Sequence, residues 1–304
     1  MDERKGLKFS TAGNLIIGLV GIVVAELSHS QAIMLDGVFN LIYFVTGLFT
    51  LKVARLVISG DDERFPVGYG FFESLINGIK GLMVLGISVI ALIGAVEALV
   101  AGGRVITLGY ATAYGVCATV AGWSLALVTH RAAQKSGSPL LKADAENWLV
   151  NGAISSAVLL AFICVYLIQQ TRFSHLTPYI DPLLVLVVVL ISISVPIRMA
   201  WKALMELLNR APSPEVVQGV EQAVEASLIN LPVVESFVRV LQPGRTRMVS
   251  VHVVLPEDYA ITGLGQLDGI RAEVLAALEK LHRPTIVDVI FTADRLWGAP
   301  IESL

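Results

Sequence analysis

The sequence predicts an all-α transmembrane domain of six helices over residues 1–210, followed by a small α+β domain over 211–304. Three observations carry this. First, 55% of the 304 residues are hydrophobic and only 15% are charged, whereas about a quarter of an average soluble domain is charged. The mean hydropathy of +0.73 agrees. Second, six apolar segments have the length needed to cross a bilayer, about 20 residues each. Third, the segment after Arg210 loses this character and alternates short helical and strand patterns.

The apolar segments run over residues 9–28, 31–56, 71–100, 107–129, 143–169 and 180–204. Lys and Arg cluster on one side of them. Arg4, Lys5 and Lys8 precede the first; Lys52, Arg55 and Arg64 follow the second; Arg131, Lys135 and Lys142 separate the fourth from the fifth; Arg198, Lys202 and Arg210 close the sixth. The other side holds Arg104 and Arg172. By the positive-inside rule both termini are expected in the cytoplasm. No small-residue cleavage site follows the first run, so it is read as a retained helix, not a signal peptide. Glycines 18, 37, 47, 78, 81 and 86 are read as sites of close helix packing.

In the tail, Ser213-Pro214 is a good helix start, and Val216 to Ile229 keep helical apolar spacing. Residues 233–241 and 248–255 alternate as strands around a Pro243-Gly244 turn. A helix over 265–281 and a strand over 285–292 complete an α-β-β-α-β order. That order suggests a three-stranded sheet with two helices on one face.

Composition also limits function. A net charge of −3 gives no reason to invoke nucleic acid. Cys117 and Cys164 lie in apolar runs and offer no disulfide framework or zinc-ribbon spacing. No paired acid/base set, nucleophile constellation or phosphate-binding glycine loop points to an enzyme.

The chemistry lies inside the spans. Asp36 and Asn40 are four residues apart, one turn above the other on the second helix, and Asn147 and Asn151 repeat the spacing on the fifth. Such groups are costly to bury in lipid and need partners. The two helices are therefore expected to face each other, with the four side chains lining a cation pathway. The alternative is that they simply hydrogen-bond between helices. Lys80 lies too deep in the third helix to snorkel comfortably. Its ammonium either approaches Asp36 as a fixed counter-ion, or pairs with Glu73 or faces lipid near the cytoplasmic leaflet. Asp144 and Glu26 are further candidates along the pathway. Asp62, within the acidic run Asp61 to Glu63, either attracts cations or is a solvated loop residue, the latter being favoured. Glu73 suits the positive end of a helix. His29 caps the first helix, and His252 and His282 sit apart in the tail, where a packing role for the strands is expected.

Several local patterns resemble the cation diffusion facilitator family. They are Ser30-x-Ala32-x3-Asp36-x3-Asn40, Asp62-x3-Pro66-x-Gly68-Tyr69-Gly70-x2-Glu73-Ser74, Ala143-Asp144-x2-Asn147-x3-Asn151, Asp181-Pro182, and Leu207 through Pro212. The resemblance covers nearly the whole chain. It implies a homodimeric secondary transporter that exchanges a cytoplasmic divalent cation for external protons, with ferredoxin-like cytoplasmic tails that dimerise. It places the metal at Asp36, Asn40, Asn147 and Asn151, and the protein in a bacterial inner membrane. The family carries Asp or His where Asn40, Asn147 and Asn151 stand here. It carries His in zinc members at the positions of Phe65 and Tyr69, and His in the last strand at the position of Ile290. Only Asp36 keeps a carboxylate.

Zinc is normally held by His, Cys and carboxylate. One carboxylate with three amide oxygens suits a harder ion such as Mn²⁺ or Mg²⁺, with Fe²⁺ and Zn²⁺ as other cargoes, and no resident cofactor is expected. Protons would exchange at Asp36, with Asp144 or Glu26. The other reading is a non-transporting relative that serves as a membrane partner subunit, with Lys80 in place of the cation.

Overall fold

A computed structural model describes residues 3–136 and 139–300. Gly137 and Ser138 of the expected basic loop, the last four tail residues and the side chain of Arg4 lie outside the described residues. Six helices are long and apolar enough to cross a membrane. Five are unbroken: α1 (Glu3–Ser28), α2 (Gln31–Ser59), α3 (Gly70–Val100), α4 (Leu108–Ser136) and α5 (Pro139–Ile168). The sixth span is made of α6 (Thr177–Ser192) and α7 (Ser194–Leu207), interrupted at Ile193. Pro196 supplies the cause, because it has no N–H to return to the carbonyl of Ser192.

The chain divides into two compact units, residues 1–54 with 76–201, and residues 55–75 with 202–304. In the first, small residues set how closely helices approach. A β-carbon at Gly21 of α1 would lie 2.9 Å from the Cα of Gly37 on α2, and one at Gly122 of α4 would lie 2.8 Å from the Cα of Gly152 on α5. Gly81 meets the backbone of Pro196 and Ala200 in the same way, at 3.0 and 2.9 Å. Gly86, expected to pack, instead faces open space. One apolar core joins Ile17, Ile33, Tyr114, Leu125, Trp148 and Phe162; another joins Leu35, Ala91, Ala95, Val185 and Val189. Large apolar side chains such as Ile16, Leu48, Leu82, Ile90, Leu160 and Leu190 point outward, the pattern of helices solvated by lipid.

Asp181 fixes the start of α2. Its buried carboxylate accepts the Ser30 hydroxyl at 2.6 Å and the N–H groups of Gln31 and Ala32 at 3.0 and 3.4 Å. These amides belong to the helix start, where no intrahelical partner exists. The Ser30 hydroxyl in turn accepts the Ile33 N–H. His29, between α1 and α2, adopts the left-handed conformation at φ 59°, as a helix-ending residue does.

In the second unit, α8 (Pro214–Ser227), β1 (Glu235–Leu241), β2 (Arg247–Val254), α9 (Leu264–Leu281) and β3 (Thr285–Thr292) follow the expected order. β2 is central, antiparallel to β1 and parallel to β3. Val249, Val251 and Val253 alternate to one face and pack with Val220, Val224, Val274 and Leu278 of the two helices. His252 points to the other face, its Nδ1 3.3 Å from the Arg239 guanidinium. Partial burial, with Arg239 beside it, holds this imidazole below its ordinary pKa. His282 lies elsewhere, against the Arg245 carbonyl.

The 55–75 segment is tied into this unit. The Glu73 carboxylate, in the first turn of α3, accepts both the Arg245 N–H at 3.0 Å and its guanidinium at 2.6 Å. Glu73 is therefore Arg245's partner, and the alternative pairing with Lys80 is set aside. Asp62 accepts the N–H groups of Arg64 and Phe65, each at 2.9 Å, and the Tyr69 hydroxyl at 2.5 Å. Phe65, Tyr69 and Phe72 stack within 5.5 Å of one another. The Tyr69 bond, followed by that of the Phe65 amide, holds the Asp62 carboxyl below the ordinary aspartate range.

Candidate functional site

Asp36 sits on α2 one residue before Gly37, where α1 and α2 come closest. Its Oδ1 accepts Asn40 Nδ2 at 3.2 Å and Asn151 Nδ2 at 3.3 Å; its Oδ2 accepts the Tyr114 hydroxyl at 2.7 Å. Asn40 also donates to the Asp36 carbonyl one turn back, at 2.8 Å. Three helices thus converge on one carboxylate: α2 and α5, as expected from spacing, and α4 through a tyrosine. The 2.8 Å from a β-carbon at position 21 to the Tyr114 hydroxyl shows why Gly21 is required. Any side chain there would occupy the path by which the phenol reaches Asp36.

Two amide oxygens of this cluster, Asn40 Oδ1 and Asn151 Oδ1, are buried without a hydrogen-bond partner. Unsatisfied buried acceptors are costly unless a donor, a water or a cation meets them. Each amide can turn over to present oxygen where it now presents NH2. The donor set is then one carboxylate, two amide oxygens and a phenol. Among the described residues, no group of three or more His, Cys, Asp or Glu side chains could hold a metal ion.

Asp36 opens on a cavity of about 140 Å³ with aromatic walls from Phe39, Tyr43 and Tyr114. The α6–α7 interruption borders it through Ser192, Val195 and Pro196. A second cavity, about 200 Å³, lies beside it and carries polar and charged side chains, among them Ser10, Asn14, Thr46, Asn77, Lys80 and Asp144. Tyr43, Asn147 and Asn151 border both.

The expected quartet is therefore divided. Asp36, Asn40 and Asn151 are in direct contact, whereas Asn147 is exposed and stands where the two cavities meet. One turn of separation on α5 places it at the rim, not on the carboxylate. Lys80 makes no salt bridge with Asp36 within 4.0 Å; its ammonium stands 4.3 Å from the centroid of the Tyr43 ring. Lys80 and Asp144 both line the second cavity. Glu26 is exposed and borders neither cavity, and Asp62 belongs to the other unit. Tyr114 was not foreseen, nor was the polar stripe Ser10, Thr11 and Asn14 on α1, whose members are all buried. The stripe has a sequence signal, polar residues at i, i+1 and i+4 in an otherwise apolar run. Tyr114 has none, because a lone tyrosine in an apolar helix reads as packing.

The sequence profile describing the cation efflux transmembrane domain matches residues 7–208. The chain belongs to the cation efflux family. An uncharacterized transporter of Methanocaldococcus jannaschii is 22% identical over 290 residues, covering 95% of this chain and 99% of that protein. The matched region of this cation efflux protein contains all six spans and both cavities. It is a cation transporter by family and an integral membrane protein by its helices.

Proposed function

We propose that this protein exports a hard cation, a divalent metal such as Mn²⁺ or Mg²⁺, from the cytoplasm in exchange for protons. The observation that carries the reading is Asp36, which lines a cavity with Asn151 and accepts hydrogen bonds from Asn151 and from the fully buried Asn40, whose own amide oxygens are both orphaned. An all-oxygen set with a single carboxylate favours hard ions over Zn²⁺. It compensates only half of a divalent charge, so the ion keeps part of its water, for which the cavity has room. A carboxylate that binds either the cation or a proton provides the exchange. The break at Ile193 gives the wall beside the site a place to bend between inward- and outward-open states. The distribution of Lys and Arg supports termini on the cytoplasmic side of the membrane. The α-β-β-α-β tail supports a ferredoxin-like module through which two copies dimerise. The other reading, a regulatory relative with Lys80 as built-in cation, is not favoured by the place of Lys80 over the Tyr43 ring in the cavity it shares with Asp144.

The test uses the full chain in vesicles containing a pH indicator, challenged in turn with Zn²⁺, Mn²⁺, Mg²⁺, Fe²⁺, Co²⁺ and Na⁺. Mn²⁺ or Mg²⁺ should drive saturable proton counterflow, with Zn²⁺ weaker. Proton counterflow driven best by Zn²⁺ would refute the hard-ion assignment, and no response to any of the six would refute the carrier.

A further inference from the structure

The second cavity shares Asn151 with the Asp36 site and also holds a basic and an acidic side chain, Lys80 and Asp144, that do not touch. Asp144 Oδ2 is buried and has no hydrogen-bond partner, and no ion pair within 4.0 Å joins the residue to Lys80. Ser10, which lines the same cavity, has its hydroxyl held by the Trp148 indole at 2.6 Å. The Lys80 ammonium lies 4.3 Å from the centroid of the Tyr43 ring. A structural ion pair would close to contact, because buried charges gain most at short range. Here the carboxylate keeps one oxygen free and the ammonium rests on a π face, an arrangement that leaves room for a third charged body between them. Tyr43, Asn147 and Asn151 line both this cavity and the one beside Asp36.

We infer that Asp144 is a first docking site for the transported cation and that Lys80 is a tethered competitor which sets its affinity. This rests on the reading of Asp36 as the main site. With Lys80 in place, the cavity is electrically balanced and does not accumulate cations. An arriving divalent ion binds the free Asp144 oxygen only as the ammonium withdraws along the Tyr43 ring, and then passes Asn147 to Asp36. Lys80 is thus a specificity-determining residue: it weakens binding of every cation and admits those that repay its displacement.

The experiment measures Mn²⁺ binding to the full-length protein in detergent by electron paramagnetic resonance, alongside Mn²⁺ uptake into vesicles. Lys80→Gln should tighten Mn²⁺ binding about tenfold or more, the effect expected from removing a nearby like charge at low dielectric. Lys80→Arg should keep the wild-type affinity, which also shows that the position tolerates change. The gain should vanish in Lys80→Gln/Asp144→Asn. In uptake, Lys80→Gln should lower KM more than it changes the maximal rate. Unchanged binding in Lys80→Gln, a gain that survives loss of the Asp144 charge, or no Mn²⁺ binding in either wild type or Lys80→Gln would overturn the proposal. Asp36→Asn separates the two readings. If that variant still binds Mn²⁺ as the wild type does, the main site has been misplaced, while the Lys80 and Asp144 comparisons continue to judge the docking site.

Discussion

Replacing Gly21 by alanine tests the packing that builds the site. The added carbon would stand 2.8 Å from the Tyr114 hydroxyl, 2.9 Å from Gly37 Cα and 3.3 Å from Gly37 N. Two of these neighbours are backbone and cannot rotate away, so α1 and α2 must separate. Overpacking of this kind costs about 1–3 kcal/mol, partly offset by the roughly 0.5–1 kcal/mol that alanine gains over glycine in a helix. Gly86→Ala is the control, because it makes the same helical gain and nothing lies within 4 Å of its β-carbon. The net cost is up to about 2.5 kcal/mol, which at roughly 2–4 °C per kcal/mol for a domain of this size should lower the Tm by up to about 10 °C. Gly86→Ala should leave it unchanged or slightly raised. The function should suffer as well, since the displaced phenol loses its bond to Asp36. A hydrogen bond to a charged group is worth about 1.5–3 kcal/mol, so cation flux should fall about tenfold or more. Thermal unfolding in detergent and flux in vesicles read the two effects. A Gly21→Ala protein as stable and active as Gly86→Ala would refute the close approach and the role given to Tyr114.

Other consequences follow from the same contacts. Asp181→Ala removes the acceptor of two buried helix-start amides and should cost about 1–2 kcal/mol, seen as a lower Tm, while Asp181→Asn should retain part of the cap. Glu73→Gln leaves the Arg245 guanidinium without its counter-charge in a pair whose side chains are 8% and 24% exposed. It should destabilise the second unit by about 3 kcal/mol, whereas Glu73→Leu with Arg245→Leu should cost less than either single change, as read by thermal unfolding. The Asp62 carboxyl is depressed in the folded chain, chiefly by Tyr69. Its contribution to loop order is therefore complete above the ordinary aspartate value of about 3.9 and is lost as pH falls through the lower folded value. Hydrogen-exchange protection of the Arg64 and Phe65 amides should follow that course, and Tyr69→Phe should move the loss to higher pH. Protection indifferent to acid would contradict it.

Much of this was legible in the chain because its signals are local. Span lengths follow from composition. The α-β-β-α-β tail follows from alternation and from Ser213-Pro214 and Pro243-Gly244 as boundary signals. The Asp36–Asn40 contact follows from a four-residue spacing on one helix. What spacing cannot supply is the rotation of a helix that is apolar nearly all round. Asn147 and Asn151 share a face of α5, but only packing through Gly122 and Gly152 decides that Asn151 reaches Asp36 and Asn147 stands at the rim. The same limit hid Tyr114 on α4 and left Lys80 with three possible partners or surroundings, none of which was Asp144. The interruption at Ile193 had a signal, Pro196 in mid-span, and could have been read. Gly86 shows the converse error, since a small residue in a membrane helix need not meet a neighbour.

The central claim, that Asp36 is the charged group which carries the cation, is tested most directly by Asp36→Asn in reconstituted vesicles. The side chain keeps its shape and can still bond Tyr114, Asn40 and Asn151, so a folded protein is expected. Cation-driven flux should fall to the level of empty vesicles while the Tm stays within a few degrees of wild type, a shift of about 1 kcal/mol or less. Flux that persists in that variant would contradict the assignment and move the pathway away from this carboxylate.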